Sequence, residues 1–239
     1  MTVVITGGAG SIGRATAEVF ARDGAKVWVL DLPPALERAR ADMAGIAAGF
    51  LDVDVTDAAA VRQAVAQVLA ETGRIDVAVA CAGVSAGTAL EEISADEFSA
   101  IVAVNLGGAF NLMQAVAGPM RTAGGGRIVL LGSVAAQQGG VRSGPHYVAA
   151  KAGVHGLARW AAKNLGPYNV RVNTVAPGPV LTAMWEGLGG TADEGAEGYP
   201  LGRMGRPGDI AEAIHFLGGP RSDWITGSTL DINGGMYLR

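Results

Sequence analysis

Val3-Val4-Ile5-Thr6 runs into Gly7-Gly8-Ala9-Gly10-Ser11-Ile12-Gly13, and an alanine-rich stretch follows. β-branched residues favour a strand, and the run is apolar without alternation, as in a parallel sheet covered on both faces. The glycines let a backbone approach a ligand closely. The free N–H groups and positive dipole of a helix start then suit a pyrophosphate. Few folds accommodate a strand, a glycine turn and a helix N-terminus in that order. The question is whether the chain continues as a doubly wound sheet with a reaction site.

Lys26–Leu30 reads as a second buried strand ending at Asp31, which completes a βαβ unit with the helix Ile12–Arg22. A carboxylate there can accept hydrogen bonds from both hydroxyls of an adenosine ribose and repels a 2′-phosphate. Leu32-Pro33-Pro34 brings no cation, and Arg14 is the nearby basic residue. The expected cofactor is therefore NAD(H) rather than NADP(H). The alternative role for Asp31 is to cap the next helix, which Pro33 and Pro34 would suit.

Strand and helix patterns then alternate. A helix is expected over Ala35–Ala44, a strand over Phe50–Val55, and a helix capped by Thr56 with Val61, Val65, Val68 and Leu69 on one face. Asp54 and Val55 end that strand where an adenine would lie. Ile75–Ala80 is the fourth strand, and the small residues Cys81-Ala82-Gly83 follow it. Ser94-Ala95-Asp96-Glu97 forms a capping box for a helix to about Ala117. Asn105 sits inside that helix, an unfavourable place for an amide, followed by Gly107 and Gly108. Strands over Arg127–Leu131, Val170–Ala176 and Thr229–Ile232, and helices over Tyr147–Leu165 and Pro207–Leu217, complete the pattern. Residues 180–206 lack periodicity and read as a lid, in which Met184 and Trp185 either contact substrate or pack the lid closed. The expected fold is α/β: a Rossmann-type doubly wound sheet of seven mostly parallel strands, helices on both faces, one domain over residues 1–239.

Composition limits the function. The 239 residues are 49% hydrophobic and 17% charged, which describes a compact chain with a large core. A net charge of −4 with no basic cluster argues against a nucleic-acid partner. No unbroken apolar run of about 18 residues is present, and Met1-Thr2-Val3 leads straight into a strand. No membrane partner and a cytoplasmic location are therefore expected. One cysteine and three separated histidines leave no metal site by spacing. Cys81 reads as structural, His155 and His215 as helix-face residues, and His146 as either pocket-lining or a loop residue. Trp160 and Trp224 read as core or interface residues, and the acidic residues Asp193, Glu194 and Glu197 as solvated.

Chemistry is expected at the strand ends, where ligands of such sheets bind. Tyr147 and Lys151 stand at i and i+4, on one helix face. An ammonium beside a phenol lowers the phenol's pKa and prepares it to exchange a proton with a carbonyl or alcohol oxygen. Ser133, at a strand end, can bond the same oxygen.

These residues together resemble the short-chain dehydrogenase/reductase family in its classical branch, over essentially the whole chain. Thr6-Gly7 to Gly13 is similar to its cofactor loop, and Asp54-Val55 to its adenine-contacting pair. Asn105, Ser133, Tyr147 and Lys151 are similar to its catalytic tetrad. Pro177-Gly178, with Val180 and Thr182 after it, is similar to the segment holding the nicotinamide amide. The resemblance implies that Tyr147 is the acid/base and Ser133 orients the substrate oxygen. It implies that Lys151 lowers the tyrosine pKa and bonds the nicotinamide ribose, and that Asn105 holds a proton-relaying water. Gly7, Gly10, Ser11, Ile12, Gly13, Cys81, Ala82 and Gly83 would complete the cofactor contacts. Two positions depart from the pattern: Ser11 replaces a usual glycine, and Cys81 replaces the asparagine of Asn-Ala-Gly.

The ending Asp231-Ile232-Asn233-Gly234-Gly235-Met236-Tyr237 resembles the 3-oxoacyl-[acyl-carrier-protein] reductase branch. The resemblance implies a homotetramer and interconversion of a secondary alcohol and a ketone with NAD(H). The substrate would be a small carbonyl or alcohol, with an acyl-carrier-bound form among the options. The alternatives are a sugar, polyol or steroid-type alcohol dehydrogenase, or a non-catalytic NAD-sensing protein.

Overall fold

The computed structural model describes residues 1–140, 142–191 and 196–238. Its strands are β1 (Thr2–Thr6), β2 (Lys26–Asp31), β3 (Ala47–Asp52), β4 (Val77–Ala80), β5 (Gly126–Leu131), β6 (Val170–Pro177) and β7 (Thr229–Ile232). They form one sheet in the order β3-β2-β1-β4-β5-β6-β7. Every neighbouring pair is parallel, so the mixture that "mostly parallel" allowed for is absent among the described strands.

The helices are α1 (Ser11–Arg22), α2 (Pro33–Ala39), α3 (Ala58–Thr72), α4 (Ala95–Val102), α5 (Gly108–Thr122), α6 (Ala135–Gln138), α7 (Pro145–Leu165), α8 (Ala183–Gly187) and α9 (Pro207–Gly218). Side chains alternate across each strand and sort into two cores. Val4, Leu30, Ala78, Ile128 and Val172 pack with Val65 of α3, Leu112 of α5 and Val154 of α7. Val3, Ile5, Val29, Val79 and Val129 face the other way, onto Phe20 of α1, Leu36 of α2 and Ile210 and Ile214 of α9. Each large side chain fully enclosed this way contributes about 1.5–3 kcal/mol.

Several local expectations shift. β3 spans Ala47–Asp52 rather than Phe50–Val55, so Asp54 and Val55 lie in the turn beyond it. Asp57, not Thr56, caps α3: its carboxylate accepts the Ala59 and Ala60 N–H groups. Thr56 instead donates its hydroxyl to Asp54. The expected single helix after Ser94 is α4, a π-helical turn over Ala103–Gly107, and α5. By length and composition the stretch Ala95–Thr122 would suffice to cross a membrane, with mean hydropathy 1.5 over an 18-residue window within it. One face of it, including Leu112, Val116 and Met120, is committed to the sheet.

Strand order reverses between β1 and β4, and the glycine turn lies at that point. Gly7 adopts φ +66°, and a Cβ there would stand 2.5 Å from the Ala82 nitrogen after β4. A Cβ on Gly13 would fall on the Gly7 carbonyl oxygen. Both contacts are to backbone, which cannot swing aside. Gly13→Ala should therefore destabilise the protein by about 1–3 kcal/mol, lowering the thermal midpoint by roughly 3–10 °C. An unchanged melt would show that the turn does not pack against the helix this closely.

Candidate active site

The strand ends open into one cleft of about 1110 Å³, large for a single small ligand and roomy enough for a dinucleotide with a substrate beside it. Every expected cofactor contact, from Gly7 to Thr182, lines it, as do Ser133, Tyr147 and Lys151.

At the adenosine end, Gly10 caps α1 in extended conformation with no side-chain bond to the first-turn N–H groups. Asp31 accepts the Ala9 N–H at 3.0 Å on one oxygen and the Leu32 N–H at 2.8 Å on the other. It thereby ties the glycine turn to the end of β2 while keeping lone pairs for a ligand. Arg14 is held by Asp42 at 2.8 Å and Glu18 at 3.2 Å. Asp42 and Arg38, both on the wall, were not legible as site residues: they come from α2 and the turns after it, which carry no motif. Ser11 is the first residue of α1 and lines the cleft. The Asp54 carboxylate is turned to the Thr56 N–H and hydroxyl, and the Val55 carbonyl accepts from Asn111. These bonds fix the turn after β3 against the cleft.

At the other end of the cleft, Ser133 follows β5, Pro177 ends β6, and α7 carries Tyr147 and Lys151 on one face. Lys151 donates to the Leu131 carbonyl at 2.8 Å, and its Nζ lies 5.6 Å from the centre of the Tyr147 ring. Burial pulls the Lys151 ammonium down to about 8. Burial also pushes the Tyr147 phenol above its ordinary value, and the Ser133 hydroxyl pulls it partly back. The expected lowering of this phenol by Lys151 is therefore not what the polypeptide itself produces. The ammonium lies over the ring and bonds a carbonyl, and the groups acting on the phenol are its burial, which raises it, and the Ser133 hydroxyl, which lowers it. A phenol that keeps its proton suits donation to a carbonyl oxygen.

Asn105 stands behind the wall, in the π-helical turn. Its Nδ2 donates to the Ile101 carbonyl at 2.9 Å and to the Val84 carbonyl at 2.7 Å. Its Oδ1 is buried with no partner among the described residues. A π-helical turn places an amide where an α-helix would need a backbone bond, and such turns recur at functional sites. The orphaned acceptor fits a bound water of the kind the resemblance implies.

The segment 180–206 is tied at both ends. A bridge pairs Val180 with Gly205, and the Leu181 N–H donates to the Gly205 carbonyl at 3.0 Å. Between them Thr182 caps α8 through the Trp185 N–H. Residues 192–195, including Asp193 and Glu194, lie outside the described residues. Met184, Trp185, Leu188 and Tyr199 line the cleft. Gln138, Arg142 and Met236 line it too and were not foreseen. Arg142 stands 5.2 Å over the Trp185 ring and donates to the Leu188 and Gly189 carbonyls. Its position between Ser133 and Tyr147 was the available signal. Among the described residues no His, Cys, Asp and Glu group could hold a metal.

His146 is neither loop nor pocket: it lies in the first turn of α7, wholly buried. His155 is buried on α7, while His215 bonds Asp23 at 3.0 Å and meets Phe20 edge-on. Trp160 and Trp224 are exposed, at 62% and 100%, which removes the core option for both.

The uncapped helix start, the close backbone packing at Gly7 and Gly13, the Asp31 carboxylate and the Ser-Tyr-Lys wall together fit a nicotinamide dinucleotide. Such a site belongs to an oxidoreductase of the doubly wound kind. The family model described as "Enoyl-(Acyl carrier protein) reductase" matches residues 7–237. An uncharacterized short-chain type dehydrogenase/reductase of Sinorhizobium fredii is 40% identical over 99% of this chain and 97% of its own. A 3-oxoacyl-[acyl-carrier-protein] reductase of Chlamydia muridarum is 38% identical over 98% of this chain and 96% of its own. The crystal structure of gox2181 superposes with a TM-score of 0.89 at 30% identity, covering 98% of this chain and 95% of that one. The chain belongs to the short-chain dehydrogenase/reductase family of oxidoreductases, which use nicotinamide cofactors.

Cys81 lines the cleft floor, and burial pushes its thiol up to about 12, against the Lys151 charge and the Thr16 hydroxyl. The thiolate is the reactive form, so a raised pKa protects the residue until the pH approaches that value. At pH 8 iodoacetamide should label the native chain more slowly than the urea-unfolded chain. Equal rates, followed by mass spectrometry, would show that the thiol is not desolvated.

Proposed function

We propose that the protein interconverts a secondary alcohol and a ketone with NAD(H), with Tyr147 as the acid/base. The convergence of Ser133, Tyr147 and Lys151 on the wall facing the glycine turn carries this reading. The bound cofactor would supply or accept the hydride. Gly10–Gly13 and the α1 N-terminus would hold its phosphates, and Asp31 the adenosine ribose. Pro177, Gly178, Val180 and Thr182 would seat the nicotinamide, and Lys151 its ribose. Ser133 would orient the substrate oxygen while Tyr147 gives it a proton, and Asn105 would hold the water that restores that proton by way of Lys151.

NAD(H) is favoured over NADP(H) because a 2′-phosphate would meet Asp31, and because Arg14 is engaged by Asp42 and Glu18. The substrate end is walled by Val84, Met184, Trp185, Leu188 and Met236. Such walls favour an acyl chain over a polyol, so 3-oxoacyl reduction by a cytoplasmic enzyme is the reading adopted. Tyr147→Phe should bind NADH as the parent does and lose turnover by about 10²–10⁴-fold. NADPH should bind at least about tenfold more weakly than NADH, since like charges in contact cost several kcal/mol. Full turnover in Tyr147→Phe would sink the mechanism, and tighter NADPH binding the cofactor assignment.

The same reading includes a homotetramer. Leu106, Phe110, Gly153, Leu157 and Trp160 form an apolar depression across the π-helical turn, α5 and α7, with Trp160 at its edge. Light scattering should give about four times 24.1 kDa, and Trp160→Asp should reduce it. A monomer at micromolar concentration would count against the assembly.

A further inference from the structure

The mechanism above leaves one buried polar cluster unused. His146 is completely enclosed, yet both ring nitrogens are bonded. Nδ1 accepts the backbone N–H of Tyr147 at 2.8 Å, an N–H shared with the Gly144 carbonyl at 3.1 Å. The ring proton then belongs on Nε2, which faces Glu97 Oε1 at 3.1 Å. The same carboxylate oxygen accepts the Thr88 hydroxyl at 2.6 Å. Thr88 lies in the loop after β4, Glu97 on α4 and His146 at the start of α7, so three segments around the reaction end meet at one carboxylate. The contact is close on the remaining side as well: a Cβ on Gly144 would stand 2.6 Å from the imidazole Cε1.

Glu97 occupies the third position of α4, where a capping box would turn its carboxylate back to the Ser94 N–H. Ser94 does accept the Glu97 N–H at 3.1 Å, but the reciprocal bond is replaced by the bonds to Thr88 and His146. The Thr88 hydroxyl, and after it His146, hold the Glu97 carboxyl below its ordinary value, so it remains an acceptor at neutral pH. Only packing would be needed to fill the space behind Tyr147, and an apolar residue would do that without a buried polar group to satisfy. What the imidazole adds is direction: it connects a carboxylate on α4 to the backbone N–H of the tyrosine itself.

We propose that Glu97 and His146 are positioning residues that set the first turn of α7, and thereby the Tyr147 phenol, against Ser133. The proposal rests on the reading of Tyr147 as the acid/base. Misplacing a reacting group by about 1 Å costs up to roughly a hundredfold in rate. Glu97→Ala and His146→Leu should therefore lower kcat about 10- to 100-fold while KM and NADH affinity stay within about twofold. Glu97→Gln keeps an oxygen acceptor for Thr88 and His146 and should recover most of the lost kcat.

The assay uses the full-length chain, NADH and the best-reduced ketone from a panel of 3-oxoacyl thioesters, ketoses and cyclic ketones, with Tyr147→Phe beside it. Unchanged kcat in Glu97→Ala, with or without a lower melting temperature, would overturn the proposal. So would a Glu97→Gln variant no better than Glu97→Ala, or a loss confined to KM. Should His146→Leu fail to fold, the two variants of half-exposed Glu97 decide the matter. If Tyr147→Phe retains turnover, the acid/base reading fails first. If it is inactive while Glu97→Ala is fully active, only the positioning role fails.

Discussion

Right-handed crossovers can cover both faces of a parallel sheet only if the chain reverses its winding direction once. Here β1, β2 and β3 are laid down in one direction, and β4 to β7 in the other from the opposite side of β1. The connections leaving β1 and β4 therefore diverge and open a cleft between them. Everything chemical in the protein depends on that divergence. It brings the glycine turn, Asp31, Cys81 and Ser133 to one rim, although they lie far apart in sequence.

Burial at the rim acts in the same sense on three different groups. It raises the Tyr147 phenol, lowers the Lys151 ammonium to about 8 and raises the Cys81 thiol to about 12. In each case the neutral form is favoured. Burial thus favours the protonated phenol of Tyr147 and the neutral amine of Lys151. The cysteine, under the same influence, is kept inert. Pattern alone pointed to an effect of the neighbouring ammonium on the tyrosine, and burial acts on the phenol in the opposite direction.

Elements with long apolar runs were legible because burial on both faces leaves an unbroken hydrophobic signature, as in β1, β2 and β5. The glycine turn and the Tyr147–Lys151 spacing were legible because backbone geometry alone sets which groups can meet. Short-range competition was harder to read. Thr56 and Asp57 are both good caps, and the carboxylate takes the helix because Thr56 has a partner in Asp54. Glu97 has the spacing of a capping box, but a buried imidazole on another helix claims its side chain. Trp160 and Trp224 carry the composition of core residues and lie outside it, because the sheet faces are already filled.

By itself the sequence determined the strand–helix alternation, the glycine turn, the carboxylate after the second strand and the i, i+4 spacing of Tyr147 and Lys151. These follow from periodicity, backbone freedom and intrinsic chemistry, which are local properties. Tertiary structure alone decided that Arg14 is engaged by Asp42, that Arg142 reaches the Leu188 and Gly189 carbonyls, that Asn105 leaves an acceptor open, and that His146 links Glu97 to the Tyr147 backbone. Each of these joins segments distant in sequence through a side chain several bonds long. Its partner is set by packing and by the need to satisfy buried polar groups, and neither is written in local pattern.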